Sequence, residues 1–388
     1  MYLDKQWPQN PPKATSLNGD PPPLTNASFF LSRQWLDMYT AQWARENFYG
    51  ILSSDAAQIE RFCYLSIGRL RSRLKIPYSS MGFNEATEIL VQNMTVEEND
   101  FLTVNGSGIG SSAAEFELVI NETLDNLLKI GDWDEIRFSA LSDGHGKIAT
   151  KVAKDKNFIV EVFSERETYW VDFSEIQTKY AGNFIASRSA NTRAQLRKAL
   201  KQTQSELGTC AIEVAATLEQ AHEWLNELGR LHLKRWNPNG AVEGFNNPRF
   251  VGFHRQCLED LWPTEQVKIA RLVAGQKAIA YMHYFVTDGR AYFNMSGIDY
   301  DESKAHRPGL IAHWLAIEFF QRDGLAIYDF LAGTNRYKES LCTHTASQVH
   351  LLVRRKRWFF VLESLLRKVK GRLSKKSAKQ IFVKNLVT

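Results

Sequence analysis

The feature that most constrains the fold is the order of segments between residues 267 and 331. Three runs of alternating polarity read as antiparallel strands: VKIARLV, AIAYMHYFV and AYFNMSGI. The glycines of the intervening AGQK and TDGR segments suit tight hairpin turns. An apolar helical pattern follows, and then the short run LAIYDFL. A strand placed after such a helix can join the sheet only through a crossover, so the order predicts a mixed α/β sheet.

An earlier unit resembles the end of this series. The segment 111–131 predicts an amphipathic helix with a capping box between Ser112 and Glu115, and a strand follows it at 134–141. This helix–glycine–strand order recurs at 310–333. We therefore predict an α/β fold of two tandem lobes, each a mixed, mostly antiparallel sheet flanked by helices.

Composition gives the boundaries of the predicted segments. Six of the 11 prolines lie in residues 1–23, so residues 1–28 are expected to be a disordered, Pro-rich arm. The N-terminal lobe is assigned to 29–175 and the C-terminal lobe to 176–353. A basic, amphipathic tail occupies 354–388.

The positive charge of the chain lies in this tail. It holds 12 Lys and Arg and one acid, Glu363, whereas the other residues carry 36 basic and 42 acidic side chains. DNA is therefore not an expected partner of the body. One helical face of the tail is apolar: Trp358, Val361, Leu362, Leu365, Leu366 and Val369. That pattern fits a helix on an anionic membrane surface, or alternatively a helix docked on the body.

Cysteine spacing and hydropathy indicate the compartment. The four cysteines lie far apart and form no zinc-binding spacing, so we expect reduced thiols and no metal. No apolar run is long enough to cross a membrane. These features predict a cytoplasmic protein, with the tail allowing a peripheral position at the inner membrane.

An acidic residue stands in the apolar run LAIYDFL. Alternation places Asp329 on the strand face of Ile327 and Leu331, where burial of an unpaired carboxylate is costly. One interpretation is an ion pair with Arg336 or Lys338 that fixes the following loop. The other is a catalytic role, in which Asp329 orients or deprotonates an acceptor.

Two histidines lie among apolar residues on consecutive predicted helices. His232 is close to Trp236 in sequence, and His254 lies among phenylalanines. Each could be a core residue, but the pair on one helical hairpin also suggests a substrate wall. His254 is then the best general-base candidate, because imidazole transfers protons near neutral pH. His313, on the apolar helix, is interpreted as core.

Four strings resemble a known family: RLHLKRWNPNG, NNPRFVGFHRQCLE, RPGLIAHWLAIEFFQRDG and YDFLAGTNRYKESL. They are similar to the GNAT acyltransferase superfamily, in particular its CelD-like branch, which is associated with polysaccharide biosynthesis and related to Fem-type aminoacyl transferases. The resemblance covers about 176–353. It implies an acyl donor, usually acetyl-coenzyme A, and an amine or hydroxyl acceptor on a small molecule or saccharide.

The resemblance also implies site residues. The donor phosphates would lie at the start of the apolar helix, near Lys304, Arg307, Gly309 and Leu310. A helix N-terminus favours anions, although Pro308 offers no N–H group and the loop holds a single glycine.

The acceptor would lie between His232, Trp236, His254 and the loop of Arg336, Tyr337 and Lys338. His254 or Asp329 would remove its proton before direct attack. Two alternatives remain: an aminoacyl transferase that uses aminoacyl-tRNA, and a non-catalytic binding protein with the same fold.

Overall fold

The computed structural model describes most of the chain between residues 29 and 366. The described residues are 29–32, 34–35, 38–39, 48–54, 60–87, 97, 100, 102–103, 112–130, 133–236, 244–300 and 306–366. The predicted arm (1–28), Lys304 and Val369 lie outside them.

The described strands form one 12-stranded sheet. In chain order they are β1 (Phe48–Ser54), β2 (Glu60–Arg71), β3 (Pro77–Phe83), β4 (Leu102–Thr103), β5 (Glu135–Ser142), β6 (Ile159–Asp172), β7 (Cys210–Val214), β8 (Val267–Ala274), β9 (Lys277–Thr287), β10 (Arg290–Ile298), β11 (Ile327–Ala332) and β12 (His344–Arg354).

Nine α-helices lie in the described stretches between residues 112 and 366, after helical residues at 29–31, 34–35 and 38–39. They are α1 (Ala113–Ile130), α2 (Asp143–Asp155), α3 (Phe173–Tyr180), α4 (Ala190–Leu207), α5 (Leu218–Trp236), α6 (Pro248–Leu261), α7 (Pro308–Arg322), α8 (Arg336–Leu341) and α9 (358–366). None of them combines the length and the hydropathy needed to cross a lipid bilayer.

The strand order across the sheet is β1-β2-β3-β5-β12-β6-β11-β10-β9-β8-β7, with β4 paired to β2. Two pairs are parallel, β3 with β5 and β10 with β11, and the remaining pairs are antiparallel. The mixed α/β class predicted from the sequence is therefore confirmed. We call β1, β2, β3 and β5 the N-terminal half-sheet, and β7 to β11 the C-terminal half-sheet.

The two half-sheets exchange their last strands. After β5 and α2, β6 pairs with β11 of the C-terminal half-sheet. After β11 and α8, β12 returns to pair with β5 of the N-terminal half-sheet. Strands β6 and β12 also pair with each other at the centre. This sheet is compatible with two lobes, and the lobe boundaries stay predictions.

Local sequence signals formed the expected structures. The Ser112 N–H donates to Glu115 Oε2 (2.8 Å) and the Glu115 N–H donates to Ser112 Oγ (3.3 Å), which confirms the capping box. The turn between β9 and β10 holds Asp288 (φ 47°) and Gly289 (φ 71°). Positive φ at both positions is typical of the tight hairpin turn that the TDGR segment predicted.

Helices cover both faces of the C-terminal half-sheet. On one face, α4 and α7 pack against strand residues such as Tyr284 and Tyr328. On the opposite face, α5 and α6 pack against residues that include Tyr292 and Leu331. Phe29 also packs on this second face, stacked on Phe285 with ring centroids 4.5 Å apart. The C-terminal half-sheet is therefore the middle layer of three.

One prediction of local structure was wrong. The segment with Arg336, Tyr337 and Lys338 was expected to be a loop, but it forms the short helix α8. Asn335 precedes the helix in an extended conformation, and the Cys342 N–H donates to Lys338 O at its end. Six residues give too few turns for a periodic pattern to show in the sequence.

Candidate active site

The parallel strands β10 and β11 separate after three paired positions. Their register ends with Tyr292 opposite Asp329. Beyond that point β10 continues along β9, with an irregularity between Phe293 and Met295, while β11 continues along β6. A wedge-shaped gap therefore opens at Asp329.

Asp329 is buried where this gap begins, as the sequence predicted, with 4% of its surface exposed. Its Oδ2 accepts a hydrogen bond from Arg290 Nη1 (3.0 Å), and its Oδ1 accepts one from the Leu331 N–H (2.7 Å). Burial raises the pKa of the Asp329 carboxyl, and the Arg290 guanidinium opposes that rise. The expected ion pair with Arg336 or Lys338 was wrong, because the ion-pair partner is Arg290.

Lys338 fixes the chain after β11 in a different way. Its Nζ donates to the carbonyl oxygens of Leu331 (3.3 Å) and Ala332 (2.7 Å). Burial lowers the pKa of the Lys338 ammonium to about 8. Arg336 is exposed, on the same short helix. Lys338 thus holds α8 against the end of β11 through backbone oxygens.

A cavity of about 390 Å³ lies between the two half-sheets. It is lined by residues from both of them and from the exchanged strands: Leu31, Glu97, Asp100, Ala140, Ser142, His145, Thr168, Trp170, Arg290, Asp329, Leu331, Ala346, Ser347 and Gln348. Asp329 is the predicted site residue that lines it. The cavity is large enough for a small acceptor group.

The N-terminal side of this cavity is polar. Asp100 Oδ2 lies 3.5 Å from His145 Nδ1, and Glu97 Oε2 accepts a hydrogen bond from the Ala332 N–H (3.3 Å). Gln348 Nε2 donates to the Glu97 carbonyl oxygen at 2.5 Å. Sequence reasoning assigned no site role to these residues, because only the folded sheet brings them opposite Asp329.

The predicted histidines lie on the α5 and α6 side. His232 Nδ1 is 3.1 Å from the Ser296 carbonyl oxygen on β10, and burial lowers the pKa of its imidazole. His254 is 1% exposed, and neither of its ring nitrogens has a hydrogen-bond partner in the described part of the chain. Burial, together with the nearby His283, lowers the pKa of His254 well below its usual value.

His254 is therefore a neutral ring shielded by its neighbours. Phe250 lies 4.4 Å away between ring centroids, and Phe253 and His283 each lie 5.4 Å away. His254 is not among the residues that line the cavity with Asp329, and its role as general base stays a prediction. Trp236 is the last residue of α5.

The predicted donor loop leads into α7. Arg307 is exposed and adopts a left-handed conformation (φ 46°), and its Nη1 donates to Gln195 Oε1 on α4 at 2.7 Å. The Leu310 N–H donates back to the Arg307 carbonyl oxygen. A Cβ at Gly309 would lie 2.8 Å from Ile298 Cδ1, so the lack of a side chain lets α7 approach β10. Among the described residues of this loop, Arg307 offers a cation to a phosphate, whereas the Leu310 N–H is already bonded within the loop.

The α7 side of the gap is filled with aromatic rings. His313 stacks on Tyr337 with centroids 4.7 Å apart, and it also contacts Phe293 and Phe330. Its Nδ1 is 2.8 Å from the Tyr328 hydroxyl. His313 is buried, as predicted, and Tyr337 on α8 closes this side.

In the part of the chain described here, no group of three or more ionisable side chains could hold a metal ion.

Residues 190–339 match a family model described as an acetyltransferase (GNAT) domain. The segment runs from α4 into α8 and contains both Arg307 and Asp329. No curated protein sequence matches the chain.

Two solved structures are similar to the chain at low sequence identity. The structure of L-PGS from Bacillus licheniformis is 12% identical, with 82% of this chain and 88% of that chain covered and a TM-score of 0.46. The crystal structure of FemX covers 87% of this chain and 95% of its own, at 10% identity and a TM-score of 0.56. Residues 190–339 therefore match a GNAT acetyltransferase domain, within a fold that is similar to that of FemX over most of the chain.

Proposed function

We propose that the protein is an acyltransferase that moves an acyl group from an acyl-coenzyme A thioester, such as acetyl-coenzyme A, to an amine or hydroxyl acceptor. The observation that carries this proposal is the position of Asp329. Its buried carboxylate lies where β10 and β11 part, and it lines the cavity between the half-sheets. A carboxylate whose pKa is raised by burial is a stronger base than a free one, which suits it to accept the proton of the acceptor.

The reaction needs no covalent enzyme intermediate. The acceptor nitrogen or oxygen attacks the acyl carbonyl carbon with its lone pair, and the carbon–sulfur bond breaks. The acceptor proton passes to Asp329 and then to the departing thiolate, so atoms and charges balance. Beyond Tyr292, β10 has no described strand on its β11 side, and in this proposal the N–H groups that face that side polarise the carbonyl.

The lining of the cavity favours a polar acceptor. Glu97 and Asp100 attract an amine in its cationic form, which loses one proton to water before it attacks, and Trp170, stacked on His344, also lines the cavity. An amino group on a saccharide or a small metabolite fits this composition. The finer resemblance to the CelD-like, polysaccharide-associated branch stays a prediction.

The alternative donor is aminoacyl-tRNA. Two features support it: the similarity of the fold to FemX, and the presence of Pro308, which removes an N–H group from the donor loop. Acyl transfer at Asp329 would follow the same steps from an ester instead of a thioester.

Calorimetry with acetyl-coenzyme A separates these candidates. Acyl-coenzyme A use predicts micromolar binding, weakened about tenfold by Arg307→Ala through loss of a charge-assisted contact. Arg322→Ala, at the other end of α7, is the matched control and should bind like the wild type. No binding at millimolar donor, with a salt-sensitive mobility shift of tRNA, would favour the second donor. Failure of both would indicate a non-catalytic binding protein.

A further inference from the structure

Helix α9 packs beside the turn between β2 and β3, which is distant in sequence. The Leu74 N–H in this turn donates to Glu363 Oε1 at 3.1 Å. Tyr78, at the start of β3, contacts Phe360 with ring centroids 5.1 Å apart. Phe359 and Phe360 are buried, so one face of α9 is anchored to the N-terminal half-sheet. We call α9 and residues 71–75 the tail–turn surface.

The other face of α9 is apolar and faces solvent. Its exposed side chains are Trp358, Val361, Leu362, Leu365 and Leu366. Trp358 is 68% exposed and Leu365 is 54% exposed, and Leu74 adds a further exposed apolar side chain from the turn. Their helical spacing places them in one stripe. A contiguous apolar stripe of this kind marks an interaction surface.

Cations flank the stripe, and the one acid of the tail is turned away from it. Arg71, Arg73 and Lys75 are exposed in and beside the turn. Glu363 is only 6% exposed, because it points inward to the Leu74 N–H. The sequence continues beyond Leu366 with eight Lys and Arg and no acid over 367–388. The tail–turn surface therefore combines exposed apolar side chains with positive charge.

We propose that the tail–turn surface docks the protein on an anionic lipid bilayer. Helix α9 lies parallel to the bilayer with its apolar stripe at the headgroup boundary, and Arg73 and Lys75 contact lipid phosphates. Exposed leucines and a tryptophan beside cations are the composition that partitions to such interfaces. A second copy of the chain is a poor occupant, since pairing two such surfaces would bring like charges together.

Vesicle flotation of the full chain tests this surface. Wild-type protein should float with vesicles that contain phosphatidylglycerol and remain behind with pure phosphatidylcholine. The variant R73Q/K75Q should bind the anionic vesicles about tenfold or more weakly, because each cation near the surface contributes to binding. The variant L362S/L365S should lose about tenfold or more of the affinity through its apolar stripe. These side chains are exposed, so folding should be retained by circular dichroism.

The matched control is K154Q/K198Q, which removes two exposed lysines elsewhere and should bind like the wild type. Unchanged binding of R73Q/K75Q would overturn the proposal, because the turn would then take no part. Equal flotation with neutral vesicles, or no flotation at all, would also overturn it. So would a wild-type dimer in size-exclusion chromatography that L362S/L365S makes monomeric, because the stripe would then be a contact between copies.

Discussion

Strands β5 and β11 share one irregularity but carry different side chains at it. Each contains a non-glycine residue with positive φ, Ala140 at 53° and Leu331 at 58°. At that residue each strand shifts register against its exchanged neighbour, β5 against β12 and β11 against β6. The N–H of Ala140 donates to His350 Nδ1 (3.3 Å), whereas the N–H of Leu331 donates to Asp329 Oδ1 (2.7 Å).

The side chain two residues earlier makes the difference. In β5 this position is Phe138, which packs on Phe83 with centroids 5.0 Å apart. In β11 it is Asp329, which faces the cavity. Both half-sheets have the irregularity, so it is a feature of the fold. The buried carboxylate at the position two residues earlier occurs only in β11 of these two strands. This contrast places the proposed proton acceptor in the C-terminal half-sheet.

Removal of the carboxylate should have the largest effect. Asp329→Asn keeps the size and the acceptor for the Leu331 N–H, but it removes the proton acceptor. We expect a fall of about 100-fold or more in acyl transfer, measured as thiol release from acetyl-coenzyme A with an amine acceptor. Phe138→Leu, at the equivalent position of β5, should keep the rate. Equal rates in all three proteins would show that Asp329 has no chemical role.

The second-largest effect should be on stability, through the ion pair between Arg290 and Asp329. Arg290→Ala leaves Asp329 buried without its cation, and we expect a loss of about 2–3 kcal/mol in the free energy of unfolding at neutral pH. The figure is below that for a fully buried pair because the Arg290 side chain is 28% exposed. The loss should shrink in acid, as Asp329 becomes protonated.

Urea titration of Arg290→Ala at two pH values measures this loss. Arg230→Ala, which breaks an exposed pair with Glu227, should cost less than about 1 kcal/mol. Similar losses in the two variants would mean that the Arg290–Asp329 pair is no stronger than a surface pair.

The two half-sheets should respond to pH with opposite signs. Burial raises the pKa of Glu85, beside Ser139 of β5, to about 7, above its unfolded value of 4.5. Its contribution to stability is present below pH 4.5 and is lost as pH rises through 7. Lys338 has a folded pKa of about 8, below its unfolded value of 10.5, so stability should rise as pH rises from 8 to 10.5.

Chemical denaturation at a series of pH values measures both responses. Glu85→Gln should flatten the curve between pH 4.5 and 7, and Lys338→Met should flatten it above pH 8. If Glu85→Gln leaves the dependence of stability on pH unchanged between pH 4.5 and 7, Glu85 does not titrate as its burial implies. The same holds for Lys338→Met above pH 8.

The smallest effect is expected at the irregularity itself. Ala140→Gly relieves the positive φ by about 1 kcal/mol, and it loses one buried methyl group worth about 0.8 kcal/mol. The net change should stay within about 0.5 kcal/mol. Ala280→Gly, at a buried site of β9 with an ordinary backbone, should cost about 1–2 kcal/mol. Equal losses in the two variants would show that Ala140 is not strained.

Local signals could be predicted from the sequence, and long-range pairing could not. The capping box of Ser112 and Glu115 and the turn at Asp288 involve neighbours in the chain, so composition determines them. The burial of Asp329 also followed from the apolar residues around it. Its partner Arg290 lies 39 residues away, and the two meet only because β10 and β11 are parallel with one particular register.

The cavity was missed for the same reason. Gln348, Trp170 and Asp100 come from three distant segments, and no spacing in the sequence relates them. Arg336 and Lys338 follow the strand of Asp329 by a few residues, which made them the predicted partners. The actual geometry turns Lys338 to backbone oxygens instead.

The exchange of β6 and β12 has a consequence for protein synthesis. Strand β5 ends at Ser142, but its neighbour β12 is not complete until Arg354 has been made. On the ribosome, the N-terminal half-sheet must therefore wait for nearly the whole chain, with one edge of β5 open to other strands. Such an edge is prone to wrong pairing. We expect a nascent chain that stops before His344 to need a chaperone, whereas a chain that includes β12 closes the edge with that strand.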